Sequence, residues 1–185
     1  MLKSLVSDKE YLKSIKEKLI ILDNTFLVDL SKDDDDELVD FLNTLKENEC
    51  GLVTIPEVFQ EFTRGAKSLS QYEKYEKIFN GLGIEIIQNF DKAFRGEAIK
   101  KFMIAYNNET NHASLTDSKL AGCLFAYNQV EDMRLITANY KDMPEALLKR
   151  DSIFAYDMGG EIRTHGIYRI QDDSILQKTL NKYGG

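Results

Sequence analysis

The chain reads as an α/β protein built on a mainly parallel sheet, and three observations predict it. Short apolar runs, LIIL at 19–22, CGLVTI at 50–55 and MRLIT at 133–137, have the continuous hydrophobic character of strands buried on both faces. Longer segments lie between them, with apolar residues recurring every three or four positions, the period of an amphipathic helix. The two patterns alternate along the chain, as expected of strand–helix–strand units with parallel strands. With 185 residues, 43% of them hydrophobic, and no repeat or low-complexity linker, a single domain over 1–185 is expected.

Each element follows from local signals. Ser7 or Asp8 caps a short first helix with Tyr11, Leu12 and Ile15 on one side. The strand at 19–22 ends on Asp23-Asn24-Thr25, and a helical segment begins near Thr25. The acidic run at 32–37 lacks the alternating ligands and central glycine of an EF-hand loop. It reads as a solvated loop opening a helix with Leu38, Phe41, Leu42 and Leu45 at helical spacing. After the 50–55 strand, Pro56 suits a first helical turn, Val58, Phe59 and Phe62 form the inner stripe, and Gly65 ends it. Residues 68–80 form a helix with Tyr72, Tyr75, Ile78 and Phe79, and 84–87 a third strand. Residues 91–107 form a long helix with Phe94, Ala98, Ile99, Phe102 and Ala105 inside, followed by a polar turn at 107–111. A helix starts at Ser114-Leu115-Thr116-Asp117 and buries Leu120, Ala121, Leu124 and Phe125. Beyond the 133–137 strand come a strand at 152–156, an added hairpin including 162–170, and a closing helix at 172–183.

Composition narrows the function. The net charge of −7 and a sequence pI near 5.0 exclude a surface that attracts phosphates everywhere, leaving room only for local basic patches. Cys50 and Cys123 are too few for a disulfide framework, so a reducing cytoplasm is the expected home. The first 18 residues are broken by charges, so neither a signal peptide nor a membrane partner is expected. Gly81-Leu82-Gly83 is no dinucleotide loop, and no CxxC zinc site is possible. No Ser-His-Asp or Cys-His arrangement stands out, and His112 and His165 receive no role.

The acidic residues carry more chemistry. Asp23 ends a buried strand, the place where open α/β sheets bind ligands, although an aspartate there is also a good helix N-cap. Glu61 lies one turn from Val58, on the border of a buried stripe. Asp117 falls in the first turn of a helix, where the helix dipole favours its charge. Thr137-Ala138-Asn139-Tyr140-Lys141-Asp142 sets polar oxygen ligands just past another strand. A haloacid-dehalogenase-type phosphatase needs a second aspartate two residues after Asp23, where this chain has Thr25, so it would lack its general acid.

The ordered motifs ILDNT, PEVFQEFTRG, LTDSKLAG and LITANYKDMP resemble those of the PIN-domain family of metal-dependent ribonucleases, the toxins of type II toxin–antitoxin systems above all. The resemblance covers roughly residues 19–156, beside an N-terminal extension and a C-terminal hairpin and helix. It implies a PIN-like three-layer α/β/α architecture, a central mainly parallel sheet flanked by helices. It also implies Asp23, Glu61, Asp117 and Asp142 as catalytic and metal-holding residues, supported by Thr25, Thr137 and Asn139. Asn139 stands where many members carry an aspartate, so either Asn139 or Asp142 completes the site. Converging carboxylates repel one another, and a hard cation such as Mg²⁺ or Mn²⁺ relieves that repulsion. The expected activity is hydrolysis of RNA phosphodiester bonds, with an antitoxin protein and a second copy of the chain as expected partners. The alternative is a PIN-like RNA-binding or scaffold protein that does not cleave. Arg64, Lys67, Arg95, Lys100, Lys101, Lys119 and Lys141 are candidates to meet phosphates, with Tyr106 or Tyr140 to stack on a base.

Overall fold

Strand β1, Leu19–Leu22, lies inside a six-stranded sheet, between β2 (Gly51–Thr54) and β4 (Met133–Thr137). The computed structural model describes residues 9–32, 37–88, 96–110, 113–128 and 132–184. Across the sheet the order is β3-β2-β1-β4-β6-β5, with β3 at Glu85–Ile86, β5 at Leu148–Met158 and β6 at Glu161–Ile170. Strands β3, β2, β1 and β4 run parallel, whereas β6 is antiparallel to both β4 and β5. The sheet is therefore mixed, a parallel half joined to an antiparallel pair. Strand β6, expected in an appended hairpin, sits between β4 and β5 and continues the sheet.

Eight α-helices flank the sheet among the described residues. They are α1 (Lys9–Ser14), α2 (Asn24–Leu30), α3 (Glu37–Glu47) and α4 (Pro56–Arg64), then α5 (Leu69–Leu82), α6 (Glu97–Glu109), α7 (Leu115–Tyr127) and α8 (Asp173–Tyr183). The chain steps outward from β1 to β2 and β3, then returns to β4 on the other side of β1. Right-handed crossovers put the connections of these two excursions on opposite faces. Packing agrees: α2 meets α4 and α4 meets α5, while α6 meets α7 and α8. Because the direction reverses between β1 and β4, the carboxyl ends of these two strands border the switch-point crevice.

The expected inner stripes are largely the observed ones. Ile20, Ile21, Leu22, Leu38, Phe41, Leu42, Leu45, Val58, Phe62, Leu120 and Leu124 are all buried. Phe41 stacks on Phe154 of β5 at 4.2 Å, and Phe26 of α2 meets both rings. Phe59 is only half-buried and meets Phe79 edge-on at 4.9 Å. Ala98 is a correction: it is exposed, because the buried face of α6 runs through Ile99, Phe102, Ala105 and Tyr106. The cap at Ser7 or Asp8, most of the acidic run, residues 91–95 of the expected long helix and His112 lie outside the described residues.

Strand β5 is longer than its 152–156 core because β6 pairs with it along its length. Gly159 and Gly160 link the two with φ of 62° and 90°, a two-residue hairpin turn that needs positive φ at both positions. Cys50 and Cys123 are both buried and free. No helix of the described residues is long and apolar enough to cross a membrane.

Candidate functional site

Asp23 follows β1 directly, and its backbone N–H donates to the Ile136 carbonyl at 3.1 Å, so the β1–β4 ladder continues through it. The same residue is the N-cap of α2, its Oδ1 accepting from the Asn24 N–H at 2.6 Å. The strand-end and N-cap placements of this aspartate thus coexist. Its Oδ2 accepts from the hydroxyls of Thr25 at 2.9 Å and Thr137 at 2.7 Å. Those hydroxyls are aimed from behind by the backbone past β4: Ala138 N–H donates to Thr25 Oγ1 at 3.1 Å, and Asn139 N–H to Thr137 Oγ1 at 2.9 Å. Two threonines expected only to support the site therefore fix the orientation of its most buried carboxylate.

Asp117 opens α7 in a capping box with Ser114. Its Oδ2 accepts from the Ser114 N–H at 2.8 Å and hydroxyl at 2.6 Å, which leaves Oδ1 facing the Asn139 amide at 3.4 Å. The Asn139 amide also donates to Asp142 Oδ2 at 2.6 Å. Asn139 and Asp142 are brought together by the 3₁₀ turn Tyr140–Asp142 that leaves β4. A continuous chain of contacts thus runs from Asp23 through Thr137 and Asn139 to Asp117 and Asp142.

Glu61 comes in from α4 and is half-buried, as its place on the stripe border predicts. It accepts a hydrogen bond from the hydroxyl of Thr116, the residue before Asp117. One turn earlier on α4, Glu57 is paired with Lys119 of α7. Sequence reading missed Thr116, whose partner lies 55 positions away, and no local pattern marks such a contact.

Charge separates Asp23 and Asp117 from Asp29, the other buried acid among the described residues. Asp29, Glu57, Asp132, Asp151 and Asp172 each have a basic partner within ion-pair distance. Among the described residues Asp23, Glu61, Asp117 and Asp142 have none. Burial pushes the Asp23 carboxyl above its usual range, and repulsion from Asp117 adds to the push, while the bonds from Thr137, Thr25 and Asn24 work against it. Buried anions are ordinarily paired with a cation or bound to a metal.

The donor set consists of carboxylate, amide and hydroxyl oxygens, which suits a hard divalent cation. Among the described residues no three His, Cys, Asp or Glu side chains form a ready-made cage. Mg²⁺ does not require one, since it keeps several waters and is commonly held by one or two carboxylates. Asp23 with Asp117, linked to Asp142 through Asn139, fits that mode, while Glu61 is brought near Asp117 only through Thr116.

The expected nucleic-acid contacts divide. Tyr140 is 58% exposed beside Asn139, whereas Tyr106 is fully buried and stacks on no base. Lys119 and Lys100 are engaged with Glu57 and Glu97, Arg64, Lys67, Lys101 and Lys141 are exposed, and Arg95 lies outside the described residues. His165 is buried against Asp29 and Tyr156, away from this site. Compared with models of known protein families, with curated proteins and with solved structures, the chain matches none.

Proposed function

We propose that the chain is a metal-dependent endoribonuclease with a PIN-like site, hydrolysing RNA phosphodiester bonds with Mg²⁺ or Mn²⁺. One observation carries this reading: hydrogen bonds link Asp23, Asp117 and Asp142 around the β1–β4 switch point, and Asp23 and Asp117 are buried without a basic partner among the described residues. Asp23 and Asp117 would hold the cation, with Asp142 and Glu61 binding directly or through water. The bound ion would lower the pKa of a water and stabilise charge on the phosphodiester. Thr25 and Thr137 hold Asp23 through its Oδ2, and Asn139 holds Asp142 near Asp117. Exposed Tyr140 offers a ring to an unstacked base at the rim. An antitoxin would act by covering this rim.

The test is cleavage of single-stranded RNA by the purified protein with Mg²⁺ or Mn²⁺, against an EDTA control. Asp117→Asn should lower the rate by more than about a hundredfold, beyond what is typical of groups that only support a ligand. Undiminished cleavage in EDTA rules out the metal mechanism.

One observation favours a second reading, an RNA-binding or scaffold protein without cleavage. The Asn139 amide already bridges Asp117 and Asp142, giving them a neutral donor where a charged ligand would otherwise sit. RNA binding without metal-dependent cleavage of any substrate would select it.

A further inference from the structure

Tyr106 reaches the site from α6, an element that carries none of its carboxylates. It is 0% exposed, and its ring stacks on Phe102, which stacks in turn on Phe125. Its hydroxyl donates to the main-chain carbonyl of Asp142 at 2.6 Å. The turn that ends at Asp142 holds itself together poorly. Its own backbone bonds, Asp142 N–H to Asn139 and Met143 N–H to Tyr140, measure 3.4 and 3.3 Å. Beside the side-chain bond from Asn139 to Asp142, the shortest bond to the main chain of this turn is therefore the one from Tyr106. Burial raises the Tyr106 phenol above its ordinary range, and the nearby charges of Asp117, Asp142 and Asp23 add to the rise. A phenylalanine would fill the same space without placing a hydroxyl among three carboxylates.

We infer that Tyr106 is a positioning residue of this site: through the Asp142 carbonyl, its hydroxyl sets where Asn139 and Asp142 present their side chains to a divalent cation. The inference rests on the metal reading above. Supporting groups of this kind commonly change metal affinity by tenfold or more when removed.

The test compares wild type, Tyr106→Phe and Tyr75→Phe. Tyr75 is also buried, and its hydroxyl takes a bond from Gln71, apart from the site. Calorimetric titration with Mn²⁺ alone gives the affinity, amide exchange gives the order of residues 139–143, and melts in EDTA report the fold. Tyr106→Phe should fold, weaken Mn²⁺ binding about tenfold or more, and exchange faster at Asp142 and Met143. Tyr75→Phe should match wild type in both readouts. A Tyr106→Phe protein that binds Mn²⁺ as tightly as wild type overturns the inference alone. An unfolded Tyr106→Phe protein also overturns it, since the hydroxyl would then serve the core. A wild type that takes no Mn²⁺ removes the metal reading, and this inference with it.

Discussion

Asp23 caps a helix and at the same time lies in the candidate site. Its ordinary partners are neutral: a backbone N–H and two hydroxyls. Without a cation, ionising it inside the protein costs more than in the unfolded chain. Its folded pKa lies above the unfolded value of 3.8, so its favourable contribution is complete below that value and is lost as pH rises through the folded pKa. Asp23→Asn has no such proton to lose. Denaturant melts in EDTA across an acid-to-neutral series should therefore show the variant gaining on wild type as pH rises. Excess Mn²⁺ reverses the comparison. At a hundredfold excess over its dissociation constant, a ligand that binds only the folded state adds about 2.7 kcal/mol. For a domain of this size that is a rise of roughly 5–10 °C in melting temperature, expected for wild type and largely absent from Asp23→Asn. A variant that responds to Mn²⁺ as fully as wild type would show that Asp23 is no ligand. At this scale Asp23, Thr25 and Asp117 were legible in the sequence because strand end, cap and capping box are local patterns. The Glu61–Thr116 contact and the Tyr106 hydroxyl were not legible, since both depend on which distant helices meet.

Among the elements, α2 matters most to the candidate site, because its N-terminus is capped by Asp23 and carries Thr25 while its last turn is tied to the antiparallel pair. Asp29, near its C-terminal end, accepts from the Tyr156 hydroxyl of β5 at 2.6 Å and lies 3.2 Å from His165 Nε2 of β6. Burial works to raise the Asp29 carboxyl, but hydrogen bonds from His165 and Tyr156, with the charges of His165 and Arg163, outweigh it and hold it below the usual range. The sign is opposite to that of Asp23: the contribution is present above the unfolded value and disappears as pH falls through the folded one. Tyr156→Phe should accordingly cost about 1.5–3 kcal/mol at neutral pH, the usual worth of a hydrogen bond to a charged group. Denaturant melts should show that cost shrinking in acid, and a cost independent of pH would mean that the bond does not hold Asp29 ionised. Most elements were legible because each has its own apolar period, as Leu38, Phe41, Leu42 and Leu45 show for α3. Ala98 was misplaced because periodicity gives a face and not its limits. The Asp29 cluster left no trace in the sequence, since its members come from one helix and two strands spread over 137 positions from Asp29 to His165.

At the scale of the molecule, the placement of β6 decides how much chain the fold requires. The parallel half of the sheet follows from alternating strands and helices, but no local pattern says that a later strand will enter beside β4. Among the described residues β6 is the only strand that pairs with β5, and it joins β5 to β4. A chain cut after Met158 would keep β5 with no partner and leave β4 as an open edge beside the site. It would also lose the buried side chains of Ile167, Tyr168 and Ile170 from β6, and of Leu176 and Leu180 from α8. At about 1.5–3 kcal/mol for each large apolar side chain, the β6 group alone approaches the roughly 5–15 kcal/mol that holds a typical domain together. A cut after Gln171 removes α8 and keeps the whole sheet, at a cost limited to the two leucines and the helix they anchor. The shorter protein, ending at Met158, should therefore show no cooperative thermal transition by circular dichroism and should aggregate through its open β4 edge. The longer one, ending at Gln171, should melt cooperatively at a lower temperature than the full chain. Equal melting of the two truncated proteins would mean that β6 adds little to the sheet. Within the sheet, the Asp23 site would then depend on β1 and β4.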